Sequence, residues 1–278
     1  PLFALQLLHS WAMRGDLRLQ QDGRYAVSDE ALAKHASTTA ELWEERVNHL
    51  PAELRPAALA AAALGGDIRR DVLRAQLKEL ELDATRAISA MKRAQLLLPA
   101  GTDRLRWTHA LLQEHLLERL ADEHDAARVF LAAANALGQH PAASSGRIVR
   151  HRVTNLERAG EIERAAELLH EHIAASWSKV RDAAATLRDL ALLDGKLEGI
   201  YLAHHLRWTA EAARHSGSLE EARRQAELSR RAFRDQGDEI HEAQCLRLLG
   251  HIASDLGASA QGRRQVTRAL TLFRRHGD

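Results

Sequence analysis

A short hairpin set between helices is the feature that most constrains how this chain can fold. The apolar segments 95–99 and 104–108 flank a tight turn at residues 100–103. A helix with leucines along one stripe follows directly and runs to Leu120. A hairpin in this position is the wing of a winged helix, so we predict a winged-helix domain around it.

Four helices are predicted between residue 38 and this hairpin. Thr38 or Thr39 can cap the first, Asp67 the third and Asp83 the fourth, because their side chains accept hydrogen bonds from unpaired amides at a helix start. Further upstream, the apolar spacing over 1–14 predicts a helix. An Asp-Gly turn ending at Gly23 then predicts a second hairpin, and a loop is expected over 28–37.

The composition limits the class of protein. Alanine and leucine dominate and only 4% of residues are aromatic, which favours an all-α protein. The charge is balanced between 39 basic and 38 acidic side chains, which argues against a dedicated polyanion binder. The single Cys245 excludes a disulfide framework and is typical of a reducing, cytoplasmic compartment. The sequence has no apolar run long enough to span a membrane.

Beyond residue 121 the pattern becomes repetitive. Three segments share one template, in which a helix ends at a glycine and a small residue then opens a second helix. The last two turn glycines lie 40 residues apart, whereas the first gap of 57 residues leaves room for an extra helix near 181–193. We predict stacked helical hairpins. The turn glycines are Gly160, Gly217 and Gly257, and the small residues are Ala165, Ala222 and Gly262.

Residues 1–120 resemble the region that follows the ATPase in bacterial STAND proteins (signal-transduction ATPases with numerous domains). That region begins with a Gly-Asn-Pro-Leu-Phe motif, carries an LP-x-E-x-R helix before AAALG, and follows its wing with an aromatic-x-His-x-Leu-x-x-Glu helix. Here Trp replaces the usual Phe of the last motif. The matching residues are Pro1, Leu2 and Phe3; Leu50, Pro51, Glu53, Arg55 and 61–65; and Trp107, His109, Leu111 and Glu114. Residues 121–278 are similar to the tetratricopeptide-like sensor arrays of such proteins.

The resemblance implies an organisation and a mechanism. The end of an ATPase lid is expected over 1–37, a winged-helix domain over 38–120, and a tetratricopeptide-like solenoid over 121–278. The segment would bind a protein or peptide and control the nucleotide-dependent switch of an ATPase core that it contacts. ATP or ADP with Mg would belong to the parent protein, with Pro1 near the adenine. The parent's effector could be a serine/threonine kinase, a transcription activator or a defence ATPase.

We expect no enzymatic activity and no cofactor in this segment itself. Its one Gly-Lys pair, at Gly195, is followed by leucine and therefore fails the phosphate-binding pattern G-x-x-x-x-G-K-[ST]. The neighbours His204 and His205 point to different helix faces, and His241-Glu242 has Cys245 where a metal-binding HExxH motif needs its second histidine. No metal site is therefore predicted. We expect a structural role for His109 and a buried, inert thiol at Cys245.

The hairpins, superposed on their turn glycines, place arginines at one equivalent position of each first helix. In a tetratricopeptide-like hairpin that position faces a groove, and guanidinium groups there would grip the carboxylates of an acidic peptide. The alternative is that the arginines pair within the chain. The predicted groove residues are Arg147, Arg150, His204, Arg207, Glu211, Gln244, Arg247 and His251.

A nucleic-acid-binding transcription regulator is the alternative function. The fourth predicted helix lies where a recognition helix would, and it carries basic side chains, as does the wing. Five basic side chains are few for reading a major groove, so we expect nucleic acid to be a less favoured partner. They are Arg86, Lys92, Arg93, Arg104 and Arg106.

Overall fold

The computed structural model describes residues 4, 7–8, 11–12, 15–20, 23–27 and 39–276. Over these residues the chain is mostly helical and carries two small sheets. It divides into two compact units, Pro1–Ala136 and Leu137–Asp278. Pro1, the predicted loop over 28–37 and most of the predicted helix over 1–14 lie outside the described residues. The predicted boundaries at 37/38 and 120/121 stay predictions.

The first unit combines short strands with helices. Its strands are β1 (Leu17–Leu19), β2 (Tyr25–Val27), β3 (Asp67–Arg69), β4 (Leu97–Pro99) and β5 (Arg104–Trp107). Its helices are α1 (Thr39–Asn48), α2 (Arg55–Ala62), α3 (Arg70–Glu79), α4 (Ala84–Arg93), α5 (Ala110–Ala121) and α6 (Ala126–Gly138), and a 3₁₀ turn at Ala52–Leu54 precedes α2. The last two residues of α6 belong to the second unit.

Both predicted hairpins are confirmed. Strands β1 and β2 pair antiparallel with Leu17 opposite Val27, and β4 and β5 pair antiparallel with Leu97 opposite Trp107. Strand β3 adds to the free edge of β5, giving the order β3-β5-β4. The hairpin lies between α4 and α5 in the sequence, and β3, which precedes α3, extends it to a three-stranded sheet.

The predicted cap of the third helix is wrong. Asp67 begins β3 instead, and α3 starts three residues later after Arg69, with no capping side chain. The reason is non-local, because the edge of β5 offers unpaired backbone groups that β3 satisfies. Asp67 then forms an ion pair with Arg104 across the sheet. The cap predicted at Asp83 is confirmed, since its carboxylate accepts from the backbone N–H of Arg86 at 2.9 Å.

The core of the first unit is built around α2. Its alanine-rich run over 57–63 is buried against α3 and α5, and small side chains let these helices approach closely. The buried Gln76 donates to the backbone oxygen of Ala60 at 2.8 Å. The indole N–H of Trp107 donates to the oxygen of Gly65 at 2.9 Å and so ties the sheet to the end of α2.

The second unit consists of antiparallel helix pairs. From residue 146 onward its helices are α7 (Gly146–Arg158), α8 (Ile162–Trp177), α9 (Ala183–Leu190), α10 (Gly199–His215), α11 (Leu219–Asp235), α12 (Glu239–Asp255) and α13 (Ser259–Arg275), with a 3₁₀ turn at Ala191–Leu193 after α9. Helix α9 and this turn occupy the place where the sequence predicts an extra helix. The pairs α7–α8, α10–α11 and α12–α13 are the three predicted hairpins.

Glycine makes each predicted inter-helix turn possible. Gly160, Gly217 and Gly257 have φ angles of +80°, +84° and +80°, in the left-handed region that side chains rarely adopt. Their predicted role as turn residues is confirmed. The same geometry recurs at Gly237, with φ of +73°, where α11 connects to α12. The last two hairpins are therefore joined by a turn similar to those within the hairpins.

The small residues after the turns hold the paired helices together. Ala165 and Ala222 are fully buried. At Gly262 a Cβ atom would lie only 2.8 Å from the backbone oxygen of Gly250, so α12 and α13 touch backbone to backbone. The predicted close packing is confirmed at this crossing. No helix in the described part of the chain is long and apolar enough to cross a membrane.

Candidate partner-binding groove

Six of the predicted groove residues lie on two neighbouring helices. His204, Arg207 and Glu211 follow one face of α10, and Gln244, Arg247 and His251 occupy the equivalent positions of α12, 40 residues later. Helices α10 and α12 contact each other. The charges of Glu211 and Arg247 both act on the guanidinium of Arg207, so the structure brings these three groups into one electrostatic neighbourhood.

Arg207 is the central cation of this face. It is half-buried, its guanidinium carbon lies 4.7 Å from the ring centroid of Trp208, and its Nε is buried without a hydrogen-bond partner among the described residues. Burial lowers the pKa of this guanidinium, while Cys245 and Glu211 oppose that effect. A buried donor left unpaired costs free energy. Because Nε itself is closed to solvent, an incoming carboxylate would pair with it only after the Arg207 side chain moves.

The other predicted arginines lie on α7, in a different setting. Arg150 forms an ion pair with Asp189 of α9 at 3.2 Å, and the carboxylate of Asp189 is only 8% exposed. Arg147 is exposed in the first turn of α7. Arg150, the arginine predicted for the first hairpin, therefore has an intrachain partner. We place the centre of the candidate groove on α10 and α12.

A cluster of imidazoles lies beside Arg207, and the sequence analysis did not anticipate it. Ring centroids are 5.8 Å apart between His170 and His205, and 4.6 Å apart between His204 and His241. The ring of Phe233 lies 4.9 Å from that of His204. His241 is one turn before Gln244 on the same face of α12, which is the sequence signal that was available. We call His170, His204, His205 and His241 the histidine cluster.

Only part of the histidine cluster has hydrogen-bond partners. His205 Nε2 lies 2.9 Å from Asp194, and His241 Nδ1 lies 2.7 Å from Asp238, which also caps α12. His170 Nε2 and His205 Nδ1 are buried without a partner in the part of the chain that the structure describes. Within that part no group of three or more candidate ligands is placed to hold a metal ion.

Two members of the cluster, His170 and His204, are held in their neutral form. Burial lowers the pKa of His170 to about 3, and the nearby His205, His204 and Arg207 act in the same direction. Burial also lowers the pKa of His204 to about 4, with His241 and Arg207 adding to the effect and Asp238 opposing it. Because His170 and His204 are neutral at neutral pH, these two side chains add no positive charge beside Arg207.

Acidification should destabilise the second unit through His170. The folded-state pKa lies below the unfolded value near 6.5, so the unfolded chain binds a proton that the folded chain does not, and stability falls as pH drops through 6.5 toward about 3. At about pH 5 the loss from this one group is on the order of 1–2 kcal/mol. We expect urea unfolding to show a smaller loss between neutral pH and pH 5 in His170→Gln than in wild type. The exposed His49, replaced by Gln, is the control and should behave as wild type; an unchanged pH dependence in His170→Gln would contradict the assignment.

Two further predicted roles concern single residues. Cys245 is fully buried, its sulfur lies 3.2 Å from the Ser229 hydroxyl, and burial raises the pKa of the thiol to about 11. A thiol that stays protonated is a poor nucleophile, in agreement with the predicted inert core residue. His109 directly precedes α5, and burial together with Arg46 lowers its pKa.

The basic residues of the alternative nucleic-acid interface are partly neutralised. Arg86 forms an ion pair with Glu53 at 3.3 Å, and Arg104 forms one with Asp67. Lys92, Arg93 and Arg106 are exposed. Three exposed cations of this alternative interface therefore have no ion pair among the described residues.

The described part of the second unit is an array of stacked helical hairpins. No protein-family model matches this chain, and no curated protein matches its sequence. A solved structure matches with 15% identity and a TM-score of 0.33: the STAND protein with a tetratricopeptide repeat sensor from Pyrococcus horikoshii. The match covers 87% of this chain and 47% of that one, so this chain spans about half the length of that protein.

Proposed function

We infer that the second unit binds an acidic segment of a partner protein in the groove between α10 and α12. The observation that carries this proposal is the half-buried Arg207, whose Nε has no acceptor among the described residues. Arg247 adds a second, exposed cation, and Glu211 is the acidic group whose charge acts on Arg207. A carboxylate placed here would meet two guanidinium groups, those of Arg207 and Arg247.

The first unit fits a winged helix in the order of its elements. A helix (α2), a short strand (β3), two helices (α3 and α4) and the β4–β5 hairpin follow in turn, and the strands form one sheet in the order β3-β5-β4. Together with the resemblance of the sequence to STAND proteins, this order supports a regulatory and sensor segment. In that proposal, partner binding controls the nucleotide-dependent switch of an ATPase core.

We assign no catalysis to this segment. Its Gly195-Lys196 pair follows the 3₁₀ turn after α9, and the ammonium group of Lys196 forms an ion pair with Glu157 at 3.0 Å. That lysine is engaged with a carboxylate and does not open a helix as a phosphate-binding lysine does. ATP or ADP with Mg would be bound by the ATPase core of the parent protein.

The groove can be tested with a short acidic probe on the whole chain. The probe is a fluorescent glutamate-rich peptide of about five residues, which is too short to form a helix. We expect anisotropy to show binding to wild type and a loss of at least about tenfold in affinity for Arg207→Gln/Arg247→Gln. Arg231→Gln/Arg234→Gln on α11 removes the same charge elsewhere and should change affinity less than about twofold.

Two outcomes would overturn the groove proposal. One is an equal loss of affinity in both variants, which would mean that the peptide responds to net charge alone. The other is no binding to wild type. Arg247→Glu serves as a second groove variant because Arg247 is exposed, so its folding does not depend on how the half-buried Arg207 site tolerates substitution.

A nucleic-acid interface on the first unit remains the second candidate. Its supporting observation is the exposed trio of Lys92, Arg93 and Arg106. It predicts steeply salt-dependent binding of duplex DNA that is lost when these three side chains are replaced by glutamine and is unaffected by the groove variants.

A further inference from the structure

The outer face of α13 carries an unusual concentration of positive charge. This helix has five arginines and no acidic residue. No carboxylate lies within ion-pair distance of any of these arginines in the part of the chain that the structure describes. They are Arg263, Arg264, Arg268, Arg274 and Arg275.

The equivalent helix of the preceding hairpin pairs two of its corresponding arginines with glutamates of the same helix. Helix α11 is also arginine-rich, but Arg223 pairs with Glu220 and Arg224 pairs with Glu221. With a shift of 40 residues, Arg263 and Arg264 of α13 are equivalent to these two arginines. Ala260 and Gln261 are equivalent to the two glutamates, and Thr267 is equivalent to Glu227. Helix α13 therefore keeps the arginines and lacks the acids that balance them.

An open surface depression of about 760 Å³ lies on this face, and its described lining residues all belong to α13. Ala260, Thr267, Thr271 and Leu272 contribute to its lining. Both threonine hydroxyls donate back to the helix, to Arg263 O at 2.9 Å and to Thr267 O at 3.1 Å, so their hydrogen-bonding capacity is largely used internally. The arginines of the same lining lie beside this weakly polar strip, which extends over about three turns, or about 18 Å.

The shape of this face suits a helix. In the preceding hairpin the corresponding residues Glu220, Arg223 and Glu227 line a groove together with Gln261 and Gln265 of α13. Gln261 and Gln265 of α13 thus lie across a cavity of about 260 Å³ from that face of α11. The same face of α13 is exposed over the described residues.

We propose that the arginine-rimmed face of α13 docks an acidic amphipathic helix of a partner protein. The weakly polar strip contacts the apolar stripe of that helix, and the arginines pair with glutamates or aspartates on either side of it. Two α13 faces repel each other, which disfavours self-association through this surface. The surface is separate from the α10–α12 groove, so either proposal stands if the other fails.

The test uses the whole chain and a synthetic helix. The probe is a labelled amphipathic peptide of about 16 residues, with glutamates flanking a leucine–alanine stripe. A control peptide has lysine in place of each glutamate. We expect Arg263→Glu/Arg264→Glu to weaken binding of the glutamate helix at least about tenfold and to favour the lysine helix. The matched variant Arg223→Glu/Arg224→Glu makes the same change at the equivalent positions of α11 and should change affinity less than about twofold.

Competition experiments define the results that would overturn the proposal. Equal loss in the α11 and α13 variants, or no binding of the glutamate helix to wild type, would each do so. So would displacement of that helix by duplex DNA or by phosphatidylserine vesicles at matched charge, since this would show a general polyanion surface. Arg247→Glu should leave binding of the helix unchanged, which separates this surface from the α10–α12 groove.

Discussion

Replacing Phe233 by alanine should destabilise the second unit by about 3–5 kcal/mol, the usual cost of removing a fully buried aromatic side chain. Phe233 is fully buried, packs with Ala203 and Cys245, and stacks against His241 with ring centroids 5.0 Å apart. Its removal leaves a cavity between α10, α11 and α12. The expected readout is a lower urea midpoint with an unchanged slope.

The chain offers a matched control for this prediction. Phe273 occupies the equivalent position of α13, 40 residues later, and is only half-buried against Ala243, Leu246 and Ala269. The same substitution there should cost distinctly less, because no following hairpin packs on that ring among the described residues. An equal loss of stability at the two positions would contradict the complete burial of Phe233.

Local chemistry explains what the sequence predicted well. The turn glycines mark where a left-handed backbone is required. The tight turn over residues 100–103 brings the two strands beside it into antiparallel pairing. Asp83 precedes a helix with strong apolar periodicity, so its role as a cap is decided within four residues. These features depend on neighbours in sequence, and the structure agrees with each of them.

The structural features that the sequence did not predict depend on contacts between distant parts of the chain. Strand β3 exists because β5, more than 30 residues later, leaves an edge to pair, and three residues carry too little pattern to reveal this. The histidine cluster assembles from three helices. Arg150 meets Asp189 only because α9 is inserted into the repeat. Each of these contacts requires knowing which helices become neighbours.

The histidine cluster links the candidate groove to the core. His204 touches Phe233 on one side, and it lies on the same face of α10 as Arg207. The groove face and the hydrophobic core therefore share side chains instead of forming separate layers. A change in packing between α10, α11 and α12 would alter the position of Arg207, which provides a physical route from partner binding to the rest of the array.

Replacing Arg230 by methionine should cost about 3–5 kcal/mol, because it leaves a buried carboxylate without its partner. Arg230 of α11 donates to Glu242 of α12 at 3.1 Å and to Glu227 at 3.1 Å, and the side chains of Arg230 and Glu242 are only 14% and 7% exposed. Burial lowers the pKa of the Arg230 guanidinium, but the two carboxylates outweigh this effect and raise it, so the guanidinium stays charged. Urea unfolding of the single variant measures the loss.

A second substitution distinguishes a buried ion pair from ordinary packing. Arg230→Met/Glu242→Met removes both charges and keeps apolar volume between α11 and α12, so most of the lost stability should return. The exposed neighbour Arg231, replaced by methionine, should change stability by no more than about 0.5 kcal/mol. A single-variant cost below about 1 kcal/mol, the value typical of surface pairs, would mean that solvent reaches Glu242 and that the α11–α12 contact is looser than described. If the double variant does not recover stability, the loss comes from the packing of the aliphatic part of the Arg230 side chain and not from the ion pair.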